Sequence, residues 1–275
     1  MYKHLTNKFH TKKSFGQNFL YDEEILDNIV SFANLSKDDF VLEIGPGKGT
    51  LTSLLSASAK KVLAIELDND LIDYLNTAFQ DTNVTIYHKD FLKISNTEIL
   101  DILKSMDYQN ENIKVVANIP YNITSPIINK LLSCSLINDI TLLVQKEVAD
   151  RICAKVDSHD YGILTLAVKY YADATAGFIV DRKYFKPIPK VDSKVIKITK
   201  HPVPYDDAFT KKFFSIIKSS FSKRRKTLAN SLSSSSANIT KEQVESCLLK
   251  LNKNTMARPE DLSIEDYFSL TKMLM

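Results

Sequence analysis

No run of about 18 consecutive apolar residues occurs in this 275-residue chain, so no membrane-spanning helix is expected. The lysine-bearing N-terminus lacks the apolar stretch of a secretory signal, and no arginine precedes Arg151, which argues against a transit peptide. Cysteine is scarce. Cys134, Cys153 and Cys247 lie far apart and form no Cys-x-x-Cys pair, as expected of a reduced cytoplasmic protein with buried thiols. The 5 histidines are scattered without metal-ligand spacing, so no metal site is expected.

Acidic residues are missing locally. The formal charge is only +3, yet the first acid is Asp22, after Lys3, Lys8, Lys12 and Lys13. Residues 182–200 hold Arg182 and six lysines, Lys186 and Lys190 among them, against the single Asp192. Residues 208–241 contain no acid and include Lys223-Arg224-Arg225-Lys226. One such run would usually be a solvated helix face. Three in an otherwise balanced chain point to a polyanionic partner.

What is present reads as an α/β domain followed by helices. Apolar, β-branched runs at Phe40–Ile44, Val62–Glu66, Val84–Tyr87, Ile113–Asn118 and Ile140–Gln145 are strand candidates. Amphipathic stretches at 49–60, 68–80, 96–106 and 123–134 separate them, and this alternation implies a mostly parallel sheet with helices on both faces. A helix is expected over Tyr161–Ala172. Ala174–Val180 and Lys194–Thr199 are expected to close the sheet as an antiparallel edge pair. His201-Pro202-Val203-Pro204 is a stiff break, which places the boundary between a unit 1–203 and an all-helical unit 204–275. At 44% hydrophobic residues the chain can bury both cores.

Two segments carry chemistry. Glu43-Ile44-Gly45-Pro46-Gly47-Lys48-Gly49-Thr50 reads as strand, glycine turn and helix, with Gly45 and Gly47 letting the backbone approach a ligand. Lys48 is followed by glycine instead of Ser or Thr, which excludes a Walker P-loop. Glu66 closes the next strand, where an acid can take the hydroxyls of an adenosine ribose. That suits NAD and S-adenosylmethionine equally. Asp90, past the third strand, either accepts from an adenine amine or caps a helix before Phe91. The second segment, Asn118-Ile119-Pro120-Tyr121, follows a buried strand. An amide, a carbonyl fixed by proline and an aromatic ring at a strand's carboxyl end suit a flat heterocycle bearing an amino group.

These segments, taken with others in the same order, resemble the KsgA family of small-subunit rRNA adenine dimethyltransferases. The further matches are Phe15–Leu20, His88–Phe91, Gln145–Arg151, Phe185–Ser193, Arg224–Leu228 and Arg258–Ser263. The resemblance spans nearly the whole chain and implies a class I methyltransferase fold with a small helical C-terminal domain that binds rRNA. It implies S-adenosyl-L-methionine as methyl donor, held by Asn18, Leu20, Gly45, Gly47, Glu66, Asp90 and Asn118. Asn118, Pro120 and Tyr121 would hold the target adenine, with Phe185 packed on its other face. Lys12, Lys13, Lys186, Lys190, Lys223, Arg224, Arg225 and Lys226 would grip rRNA phosphates in the assembling small ribosomal subunit. The enzyme is expected to be a monomer, with no membrane or metal partner. Ala229 stands where relatives often carry a base, which weakens the expected grip. Thr124-Ser125 reverses a common Ser-Thr order without expected effect on the chemistry.

Alternatives keep part of this pattern. A large-subunit rRNA methyltransferase of the macrolide-resistance type would share the catalytic core, so the C-terminal runs at 224–228 and 258–263 discriminate. A DNA adenine methyltransferase would carry proline where Ile119 stands. A dehydrogenase would need a hydride-handling His or Lys near the switch point, and none is found. A non-catalytic ribosome-assembly factor would have no need of an intact Glu66 and Asn118–Tyr121.

Overall fold

The computed structural model describes residues 18–203, 205–223, 225–235 and 239–275. Lys12, Lys13 and Arg224, together with the Phe15–Gln17 part of the first motif, lie outside the described residues. The chain forms two compact units. One draws on the described residues up to Ala149 and on Asp173–Lys200. The other comprises Asp150–Ala172 and the described residues from His201 onward.

In the first unit, β1 (Phe19–Leu20) leads into α1 (Glu23–Ala33), whose first turn is capped by Asp22 accepting from the Ile25 amide at 3.1 Å. Strands and helices then alternate: β2 (Phe40–Ile44), α2 (Thr50–Ser58), β3 (Lys61–Glu66), α3 (Asn69–Ala78), β4 (Val84–His88), α4 (Asn96–Ser105), β5 (Ile113–Asn118), α5 (Thr124–Ser133), β6 (Asp139–Gln145) and α6 (Lys146–Ile152). After the segment assigned to the second unit come β7 (Ala172–Val180), β8 (Phe185–Lys186) and β9 (Ser193–Lys200).

The seven-stranded sheet has the order β4-β3-β2-β5-β6-β9-β7. Strands β2 to β6 pair in parallel, and β9 runs antiparallel to β6. Every residue of β2 is buried, as expected for a strand covered by helices on both faces. The order reverses at β2. The chain moves outward through β3 and β4, then returns to β5 on the other side. The carboxyl ends of β2 and β5 therefore flank the switch-point crevice where ligands bind in open α/β sheets. A second, two-stranded sheet pairs β1 with β8, Leu20 opposite Phe185.

The second unit contains α7 (Ile163–Tyr171), α8 (Asp207–Ser220), α9 (Leu228–Ser235), α10 (Lys241–Lys250) and α11 (Ile264–Met273). Its core is rich in aromatics: the Tyr170 ring lies 4.7 Å from Phe213, and Phe213 lies 5.1 Å from Phe268, centroid to centroid. The expected division at 203–204 is corrected in one respect, because Asp150–Ala172 groups with the C-terminal helices. The apolar face of α7, with Leu166 and Tyr170, shares one cluster with Phe209, Phe213 and Leu270. Helical periodicity reveals that such a face is buried, but not against which distant helix.

Candidate active site

The glycine turn after β2 is welded to the end of β3. Gly45, Gly47 and Gly49 all adopt positive φ, +70°, +58° and +76°, a region that disfavours a side chain. The Gly45 amide donates to the Ile65 carbonyl at 2.9 Å, extending the strand register into the turn. The Glu66 carboxylate completes the weld. Its Oε2 accepts from the Gly47 amide at 3.0 Å, and its Oε1 accepts from the Leu67 and Asp68 amides at 2.8 Å each. Burial pushes the Glu66 carboxyl up, while those amides pull it back down. With two donors already on Oε1, the acceptor capacity left for a ligand lies on Oε2.

The loop after β5 faces this turn: a Cβ built on Gly45 would stand 4.0 Å from Pro120 Cδ. The Asn118 side chain donates from Nδ2 to the Asn18 carbonyl at 3.1 Å, which fixes the amide with Oδ1 as its acceptor end. The Pro120 carbonyl is already engaged. It accepts from the Ile123 amide at 3.3 Å and from the Thr124 hydroxyl at 3.2 Å, and that hydroxyl is also 3.2 Å from the Tyr121 carbonyl. These contacts sit at the long end of the hydrogen-bond range, so they are weak competitors for a better donor. A serine at position 124 could offer the same hydroxyl. Tyr121 is half-buried, its hydroxyl 2.5 Å from the buried Ser193 hydroxyl.

One cavity of about 280 Å³ collects these groups. Asn18, Leu20, Gly45 and Gly47 line it, as do Glu66, Asp90, Asn118, Pro120 and Tyr121. Asp90 serves its own turn as well, since its Oδ1 accepts from the Leu92 amide at 3.0 Å. The two readings of Asp90 are thus compatible: it caps a turn and borders the cavity with one carboxylate.

Phe185 requires a correction. It is fully buried, packs in a core cluster with Leu20, Leu26 and Val180, and does not border the cavity. Pairing of β8 with β1 turns its ring inward, so no face is open to an adenine. The motif's cations stay outside: Lys186 is exposed with its amine 5.0 Å from the Tyr21 ring centroid, and Lys190 is exposed with its carbonyl held by Arg182 at 3.0 Å.

In the second unit Lys223, Arg225 and Lys226 are exposed, and the Lys223 amine donates to Ser234 Oγ at 2.9 Å. Ala229 is fully buried in the helical core. The Arg258–Ser263 run is a capping device: Asp261 accepts from the Arg258 amide at 2.7 Å, and Ser263 caps α11 by accepting from the Asp266 amide at 3.1 Å.

Sequence reasoning passed over three residues here. Ser193 stood at the end of a matching motif, but its register opposite Gln145 is a property of the sheet. Phe19 lies over the glycine turn, where its ring would be 2.7 Å from a Cβ on Gly47. Glu43 is fully buried beside the cavity, with Oε2 lacking a hydrogen-bond partner. Burial, reinforced by the Glu66 charge, pushes its carboxyl up to about 8. The Thr52 hydroxyl opposes this electrostatically, though it lies outside hydrogen-bonding geometry. Among the described residues no cluster of His, Cys, Asp and Glu could hold a metal ion, and no helix is long and apolar enough to cross a membrane.

Strand order, glycine turn and paired acids define a class I methyltransferase. The pocket fits an adenosyl methyl donor on its own chemistry: a carboxylate oxygen with spare capacity for ribose, a carboxylate at Asp90 for an exocyclic amine, and an unpartnered buried acid at Glu43 beside the turn. Comparison narrows the class. The chain belongs to the ribosomal RNA adenine dimethylase family, whose model matches residues 8–275. It is 43% identical over 275 residues to a Clostridium botulinum protein named ribosomal RNA small subunit methyltransferase A, covering 98% of this chain and 96% of that protein. A protein of the same name from Clostridium acetobutylicum is 42% identical over 266 residues, covering 96% and 93%. Among solved structures, a dimethyladenosine transferase from Plasmodium falciparum superposes with a TM-score of 0.71 at 28% identity, covering 92% of this chain and 95% of that one. The 23S rRNA methyltransferase ErmE superposes with 0.70 at 27% identity, covering 94% and 99%.

Proposed function

We propose that the chain transfers methyl groups from S-adenosyl-L-methionine to N6 of adenosines in small-subunit (16S) rRNA, twice per base, as a cytoplasmic monomer acting on the assembling small subunit. The observation that carries this is the orientation of Asn118. Its Nδ2 is committed to the Asn18 carbonyl, so the oxygen is the end that faces a donor.

Adenine N6 is a poor nucleophile because its lone pair is delocalised into the ring. Hydrogen bonds from both N6 hydrogens to Asn118 Oδ1 and the Pro120 carbonyl let the nitrogen pyramidalise and favour the positive charge that grows on it. Asn118 has the larger share, since the Pro120 carbonyl is divided among other donors. Tyr121 holds the base by stacking, its ring tethered to Ser193, and this converts encounter into attack geometry. The methyl donor supplies the electrophile when bound. Glu66 would hold its ribose, Asp90 its adenine amine, and Asn18, Leu20, Gly45 and Gly47 its remaining surface.

The exposed Lys186 and Lys190, and in the second unit Lys223, Arg225 and Lys226, supply cations for phosphates. Small-subunit rRNA is favoured over the 23S rRNA of ErmE because relatives named for the small subunit are 43% identical and ErmE 27%. The test is to incubate the protein and labelled S-adenosylmethionine with unmethylated small subunits, large subunits or naked DNA, then map the label. Label on N6 of small-subunit adenosines is expected; label on large subunits alone would overturn the assignment.

A further inference from the structure

Lys130 is a half-buried amine that the chemistry above does not use. It lies on α5, the helix that continues from the Asn118–Tyr121 loop. Its Nζ donates to the Phe91 carbonyl at 2.6 Å and also to the Ile94 carbonyl. The same nitrogen sits 5.0 Å from the Phe91 ring centroid; burial pushes the amine down, and the Asp90 carboxylate partly opposes this.

The segment it grips is a tight turn. The Asp90 carbonyl accepts from the Lys93 and Ile94 amides at 2.9 and 3.2 Å, while Asp90 Oδ1 accepts from Leu92. The Lys130 amine satisfies the Phe91 and Ile94 carbonyls of this turn as a cation does at a helix C-terminus. Asp90, Phe91 and Leu92 border the cavity, and so do Ile123 and Ile127 at the start of the Lys130 helix. Lys130 is thus a strut between two walls that otherwise belong to separate crossovers of the sheet. Desolvating an amine is costly, and here the two carbonyls offset that cost.

We propose that Lys130 is a positioning residue: it holds the Asp90–Ile94 turn so that Asp90 meets the adenine amine of the methyl donor, and it ties that wall to the helix following the target-base loop. The proposal rests on Asp90 being the adenine acceptor.

A double-mutant cycle tests it, with S-adenosylhomocysteine binding to the full chain measured by titration calorimetry. Lys130→Met keeps the aliphatic stem and removes the donor. Affinity is expected to fall about tenfold in the wild-type background and less than about twofold in an Asp90→Ala background, because the turn then has no acceptor left to aim. The analogue whose purine lacks the 6-amino group should likewise lose less than about twofold on Lys130→Met. Lys130→Arg, which keeps a donor and guards against a Met variant that fails to fold, should recover most of the loss. Equal penalties for Lys130→Met in both backgrounds would overturn the positioning role while leaving Asp90 as acceptor. Wild-type affinity in Asp90→Ala alone would instead overturn the assignment of Asp90, and the proposal with it.

Discussion

The hydroxyls of Tyr121 and Ser193 lie 2.5 Å apart, joining the loop after β5 to the first residue of β9, two strands away in the sheet. Ser193 is fully buried opposite Gln145 and cannot follow a moving ring. The tyrosine is therefore presented at a fixed angle. Ser193→Ala is expected to lower turnover about fivefold to tenfold, the worth of one hydrogen bond, while S-adenosylhomocysteine affinity by calorimetry stays within about twofold. A matching loss in cofactor affinity would show that Ser193 supports the pocket in general.

Glu66 ties three amides to the turn that borders the cavity. Glu66→Ala leaves those donors without their acceptor and removes the ribose contact at once. Cofactor affinity should fall by at least about tenfold, and thermal unfolding should report a loss of about 1–3 kcal/mol. Glu66→Gln offers one acceptor oxygen in place of two and should fall between wild type and alanine in both measurements.

Gly47 is closed to a side chain for two reasons, its φ of +58° and the Phe19 ring 2.7 Å from a Cβ. Gly47→Ala should cost about 1–2 kcal/mol in denaturant unfolding and weaken cofactor binding more than that strain alone explains. The companion Phe19→Leu, by opening space, should restore part of the affinity in Gly47→Ala; no restoration would mean that backbone strain alone accounts for the defect.

Glu43 gives a pH dependence with a definite sign. Its carboxyl, raised by burial to about 8, keeps a proton in the folded chain that the unfolded chain releases near pH 4.5. Its contribution to stability is therefore complete below that lower value and is lost as pH rises through about 8. Glu43→Gln holds no such proton in either state. Relative to pH 5, the variant should gain on the order of 3 kcal/mol over wild type by pH 8 in a thermal unfolding series. Parallel curves would show that Glu43 is ionised in the folded protein.

Arg225 and Lys226 are exposed cations of the second unit. If they meet phosphates, Arg225→Gln with Lys226→Gln should flatten the dependence of log Kobs on log salt by about 0.7–0.9 for each phosphate no longer neutralised, with cofactor affinity unchanged. An unchanged slope would remove this segment from the rRNA footprint.

The sheet was legible because its strands are short apolar, β-branched runs ending at or near Gly45, Glu66, Asp90 and Asn118, separated by longer amphipathic stretches. The same residues were legible as a pocket because strand ends converge at a switch point. Phe185 was misread because two residues of β8 carry no usable period, and only their pairing with β1 decides which way the ring turns. The grouping of 150–172 with the C-terminal helices was equally hidden, because an apolar helix face does not announce its partner. Nothing in the sequence singles out Lys130, since hydrogen bonds to distant carbonyls leave no trace in spacing.

The most direct test is single-turnover methyl transfer at saturating S-adenosylmethionine by Asn118→Ala on unmethylated small subunits. With Oδ1 gone, N6 loses its better acceptor, and the rate should fall at least about 100-fold, the usual effect of deleting one charge-stabilising group. A rate within about threefold of wild type would contradict the assignment of that oxygen to the reacting amine.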